Sequence, residues 1–239
     1  MTVTSNLINS GKKPLLPLFS AWLFTLVGGY ASAYAYIKLG GVFVNMQTGN
    51  IIKCVIFAIR GNEFGYLLYS VLAFVVGVTV AVIAGRFRAG NLISVLIEIA
   101  VMGVCVALSV NGEANALALN LLISFSCALQ YEFFRTVGES GFTSVMCTNN
   151  LRLAVHNLTL GAIEKNAAKA FEGLYFLSFM AIFITGVATG TFLSVKFGYY
   201  AVAFMLIPLA AIFVLQVILS RRQKRSIAAD AMKNVETVD

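Results

Sequence analysis

Six apolar runs, each about as long as a bilayer core is thick, decide what this chain can become. They lie at about 15–37, 66–85, 92–110, 115–134, 171–194 and 197–220. A helix needs roughly 20 apolar residues to cross a membrane, and these runs are too long for barrel strands. Burying them in a soluble core is not an option, because 59% of the 239 residues are hydrophobic and only 11% are charged. The expected fold class is an all-α integral membrane protein in contact with the lipid bilayer.

The net charge of +7 does not point to nucleic acid. Basic residues sit in short loops and in "RRQKR" at 221–225, where the positive-inside rule puts cytoplasmic charge. Cys54, Cys105, Cys127 and Cys147 form no C-x-x-C pair, and His156 is the one histidine, so disulfide and zinc readings are weak. No Walker loop, H-E-x-x-H or G-x-S-x-G occurs, so no enzyme and no cofactor are expected. Lys12 and Lys13 precede the first run and "ASA" at 31–33 imitates a cleavage site. A signal h-region is shorter than this run, which therefore reads as the first helix.

Set against itself at an offset of 100 residues, the chain aligns "GVFVNMQTGNIIKCV" from Gly41 with "GFTSVMCTNNLRLAV" from Gly141. Gly41/Gly141, Met46/Met146, Thr48/Thr148 and Asn50/Asn150 coincide, and Lys53 falls one place from the partner of Arg152. At a slightly larger offset, Gly77, Ala81 and Gly85 match Gly186, Gly190 and Ser194, two small-residue ladders of the kind that let helices approach closely. A single membrane domain at 1–225 is expected, made of halves at about 15–110 and 115–220 joined near 111–114, followed by a loose polar cytoplasmic tail at 226–239.

Each half then holds three long helices and one short polar-headed segment, at 43–60 and 143–161. If both short segments cross, Arg86, Arg88 and Arg135 fall outside against the charge rule. If both are re-entrant, only Lys38, Arg60 and Lys196 are outside, and both termini are cytoplasmic. About a dozen residues after Asn50, at ~1.5 Å each, also reach only part-way through a core of about 30 Å. Three crossings per half invert the second relative to the first, the plan of many transporters, whose sites lie at the repeat interface.

In this reading Thr48-Gly49-Asn50 breaks the backbone and caps the helix that follows, and its free amides receive an anion or a dipolar group. Lys53 and Arg152 oppose the helix dipole in the first turns and call for a negative partner. The expected substrate site is Thr48, Gly49, Asn50 and Lys53 facing Thr148, Asn149, Asn150 and Arg152, holding a small anionic or polar solute. The competing reading has both cations snorkelling to an interface or paired with Glu98 or Glu132. Glu98, an intramembrane carboxylate, is either a coupling group or a packing partner. Gln130, Glu132 and His156 are expected to line the same cavity, or to belong to its rim and packing.

"GGYASAYAYIKLGGVFVNMQTGN" and "CALQYEFFRTVGESGFTSVMCTNNLRLA" resemble the two conserved blocks of the YoaK-like family of bacterial membrane proteins, and the resemblance runs from about residue 20 to 220. It implies a multi-pass inner-membrane protein and carries no biochemical activity. Ser32 stands where the family has an acid, and Asn149 replaces the glycine of the second T-G. Two functions are compatible with these residues: a transporter or facilitator, or a non-transporting scaffold that binds a partner, or a second copy of itself, through the small-residue ladders.

Overall fold

The computed structural model describes residues 15–87, 90–110, 115–134, 136–137, 140–141 and 147–236. Lys12, Lys13, Arg88, the junction at 111–114, Arg135 and Met146 lie outside the described residues. The elements are α1 (Leu15–Lys38), α2 (Gln47–Arg60), α3 (Gly65–Ala84), α4 (Gly90–Val110), α5 (Ala116–Phe133), a minimal hairpin of β1 (Thr136–Val137) and β2 (Ser140–Gly141), α6 (Cys147–Ile163), α7 (Ala167–Phe197), a 3-10 segment (Gly198–Met205) and α8 (Leu206–Glu236). The protein is thus helical, with five apolar stretches among the described residues long enough to cross a membrane. The last of these, Ala167–Arg222, holds both α7 and α8.

Local chemistry sets the boundaries. Asn115 and Asn166 cap α5 and α7 by accepting the amides of Leu117 at 2.8 Å and Ala168 at 3.0 Å. α2 ends on Gly61 at φ 71°, and Asn62 donates back to the Phe57 carbonyl, a glycine-terminated C-cap. α7 ends at Gly198, φ 61°, and the expected span at 197–220 opens as a 3-10 segment rather than an α-helix. The tail expected to be loose is helical as far as Glu236, because "RRQKRSIAADAMKN" is rich in Ala, Arg, Lys, Gln and Met, which favour helix.

The halves exchange partners. α1 packs most extensively on α7, and α5 on α3; each short helix, α2 or α6, packs on the long helix that follows it. Small residues permit the close pairs: a Cβ on Gly186 would collide with the Leu26 carbonyl, and one on Gly77 would stand 2.6 Å from the Phe125 carbonyl. The main core combines Phe24, Tyr34, Leu67, Val95, Ile123 and Ile212, drawn from α1, α3, α4, α5 and α8.

Contacts fix helix directions. Trp22 Nε1 donates to Ser178 Oγ (3.0 Å) and Gly190 abuts Tyr30 and Ala33, so α7 runs parallel to α1. Asn120 Nδ2 donates to the Tyr66 carbonyl (2.9 Å) and Gly77 meets Ala128, so α5 runs parallel to α3. Gln130 Nε2 donates to the Phe24 carbonyl (2.6 Å), while Leu39 and Gly40 share a depression with Ala116 and Asn120. α1 and α5 are therefore antiparallel. Tyr30 and Tyr34 hydroxyls donate to the carbonyls of Ala201 and Tyr199, and Gln216 donates to Ser20, so α8 returns antiparallel to α1.

Candidate functional site

Between α1 and α2 the chain turns on Gly40 and Gly41, at φ 80° and 73°, conformations that glycine adopts without steric cost. It then runs non-helically back along α1. Val42 and Val44 are fully buried, and Asn45 Nδ2 donates to the Gly28 carbonyl and to Ser32 Oγ, both at 2.8 Å. Gly28 lies ten residues before Lys38, about 15 Å of helix. α2 then climbs back beside α3, with Asn50 at Ser70 and Cys54 at the Phe64 carbonyl. Because Gly40 packs on the Tyr66 ring, the segment leaves and returns at the same end of the bundle.

Asn50 is fully buried and acts as a clasp for this segment. Its Oδ1 accepts the Phe43 amide (2.9 Å) and its Nδ2 donates to the Phe43 carbonyl (2.9 Å), to Gln47 Oε1 (2.8 Å) and, at 3.3 Å, to Ser70 Oγ. From Ser70 a polar thread crosses to α5. Ser124 donates to Asn120 Oδ1 (3.1 Å), so its single proton is spent and Ser70 must be the donor in the 2.7 Å Ser70–Ser124 bond. Asn120 in turn lines a depression of about 280 Å³ with Leu39, Gly40, Tyr66, Ala116 and Leu117.

The helix start differs from the expected one. Thr48-Gly49-Asn50 is the first turn of α2 rather than a break before it, and the N-cap is Met46, with no side-chain cap. Thr48 is exposed, and Gly49 is small so that the Phe43 ring can pack against it, 2.9 Å from where a Cβ would stand. Among the described residues Lys53 meets no carboxylate. Its Nζ donates to the Gly41 carbonyl and lies 5.5, 5.8 and 5.9 Å from the ring centres of Phe43, Phe57 and Tyr36. Ring faces and a carbonyl supply the negative charge that the sequence argument asked of an anion.

In the second half Asn150 is fully buried, Thr148 is exposed and Asn149 is half-buried. Arg152 is exposed, and its Nη2 donates to Asn149 Oδ1 at 3.2 Å. Leu153 and Ala154, next to it, belong to the hydrophobic cluster that also holds Ala21 and Trp22. Lys53 stands by Tyr36, so the two cations flank opposite ends of α1, about 14 residues or roughly 21 Å of helix apart. The structure does not bring them together, and neither meets Glu98.

Glu98 is buried in α4 beside Cys127, with Ser94 donating to it at 3.4 Å. Gln130 ties α5 to α1, and Glu132 is half-buried at the end of α5. His156 lies on the outer face of α6. Gln130 reaches the Phe24 carbonyl, one turn of α1 before the Gly28 carbonyl that Asn45 uses, while Glu98 is bonded within its own helix.

The residues that sequence reasoning missed are Asn45, Ser70, Asn120 and Ser124. Asn120 and Ser124 are spaced i, i+4 in an apolar helix, a legible sign of a shared polar face. Asn45 pairs with Val145 in the repeat, so a comparison of matching positions passes over it.

The model of one protein family, described as a protein of unknown function, DUF1275, matches residues 20–215, in agreement with the YoaK-like resemblance. No curated protein and no solved structure matches.

Proposed function

We propose that this chain, which belongs to the DUF1275 family of proteins of unknown function, is a membrane transporter or facilitator for a small polar solute. The observation that carries this reading is the non-helical segment 41–46, whose Asn45 reaches the middle of α1. Backbone of that kind at membrane depth is tolerated only where protein buries it or a wet path runs beside it. A chain needing only an anchor or a scaffold gains nothing from it.

In our reading the two halves are inverted repeats, each with three spans and one re-entrant segment. The antiparallel α1 and α5 support this, as does the reciprocal packing of α1 on α7 and α5 on α3. The six-span arrangement collects Arg86, Lys165, Lys169, Arg221 and Arg222 at one end and Lys38, Arg60 and Lys196 at the other. By the charge rule the first end is cytoplasmic, with both termini, in a bacterial inner membrane. The solute passes beside Asn45 and Asn50 rather than between Lys53 and Arg152, which removes the electrostatic reason for an anion. The scaffold reading loses its surface, because Gly77, Gly186 and Gly190 are filled by internal helix contacts.

The test is flux in proteoliposomes across a panel of small polar solutes. At least one should enter faster than in protein-free vesicles, and Asn45→Ala should slow it about tenfold, the worth of one buried hydrogen bond. If no solute moves faster, the reading fails.

A further inference from the structure

Asn45 is 1% exposed, yet among the described residues its Oδ1 meets no hydrogen-bond donor. The amide cannot be turned to cure this. Both Nδ2 protons are spent, on the Gly28 carbonyl and on Ser32 Oγ, and a flip would set Oδ1 against a carbonyl oxygen. Ser32 cannot help, because its own proton goes to the Gly28 carbonyl at 2.8 Å. A buried acceptor is therefore held in a fixed direction with no local donor, at the depth where transporter sites lie. Leaving such a group unmet is costly, so a native structure that keeps one has a reason for it.

The chemistry of what completes it follows from its surroundings. An anion would face the Oδ1 lone pairs. A cation would lie next to the first turn of α2, which begins two residues on at Gln47 and whose uncapped amides carry partial positive charge. What remains is a neutral N–H or O–H donor, in a small solute or in a resident water, and only the solute gives a binding preference.

We infer that Asn45 Oδ1 is the solute-recognising group of the proposed path and that the solute is a small neutral molecule presenting an amide or hydroxyl donor. This rests on the transport reading for its purpose, but binding tests it independently of flux. Acetamide, acetate and ethylammonium have similar size and differ in charge and donor capacity. Saturation-transfer NMR on the full chain in nanodiscs should show acetamide bound about tenfold better than acetate or ethylammonium, a difference of one buried hydrogen bond. Asn45→Ala should lose that preference. Asn45→Ser, whose hydroxyl can still donate toward the Gly28 carbonyl while the Oδ1 acceptor is gone, should lose it as well, and this arm keeps the test valid if the alanine variant does not fold. Equal binding of acetate, or acetamide binding unchanged in both variants, overturns the assignment. Specific acetamide binding without flux of any solute would leave the assignment standing and sink the transport reading instead.

Discussion

Lys53 is a charge solved by aromatic rings. Tyr36, Phe43, Phe57 and the Gly41 carbonyl surround an ammonium that the sequence suggested should seek an anion. Lys53→Met should lower stability by about 1–2 kcal/mol in micelle unfolding, the sum of a carbonyl hydrogen bond and partly desolvated cation–π contacts, and Lys53→Arg should recover part of it. Equal stability of all three would mean the cage holds nothing. The direction of the polar thread gives a sharper contrast. Ser124→Ala strands both the Ser70 proton and Asn120 Oδ1, whereas Ser70→Ala strands an acceptor site on Ser124 and removes one weak acceptor of the Asn50 amide, which keeps Phe43 and Gln47. The first should cost roughly 1–3 kcal/mol and the second clearly less, with the double variant below their sum. That Asn50 mattered was legible as a polar residue in an apolar setting. Its role was not, because its partner is backbone seven residues earlier, and the partner of Lys53 includes a tyrosine seventeen residues earlier.

Among elements, the long helices were the most legible, since hydropathy over some 20 residues reports burial in lipid regardless of tertiary detail. The starts of α2 and α8 were not. α2 begins before T-G-N because Asn50 uses its amide to clasp the loop instead of capping a helix, and the 3-10 segment after Gly198 keeps its apolar pattern while changing its winding. The glycine ladders were visible as spacing, but which helix they face comes only from the fold. Gly186→Ala should cost at least ~2 kcal/mol, because the new Cβ meets the Leu26 backbone, which cannot yield. Gly103→Ala, with nothing within 4 Å of its Cβ, should leave stability unchanged or raise it by up to ~1 kcal/mol. Thermal melts of both variants in one detergent check the pair.

At the scale of the whole molecule, the proposed six-span arrangement makes a prediction that single residues do not. A cysteine at Asn62, just past α2, should be labelled by impermeant reagent from outside intact cells, and one at Asn166, just before α7, only after lysis, in a background lacking the four native cysteines. Cytoplasmic Asn62 would instead require α2 to cross. The proposed repeat rests on four positions that coincide in register. Its consequence for contacts was not legible there, since identity at matched positions says nothing about which half each helix leans on.

That exchange of partners bears on how the protein is made. α1 cannot reach its main partner until α7 has been synthesised, some 130 residues later, which at about 5–20 residues per second is a wait on the order of 6–26 seconds. Throughout it, the groove around Gly29 and the hydroxyl of Tyr30, which ends bonded to Ala201, face lipid or the insertion machinery. A nascent chain halted after α4 would leave its first helix unmated, a substrate for membrane quality control rather than half of a working protein.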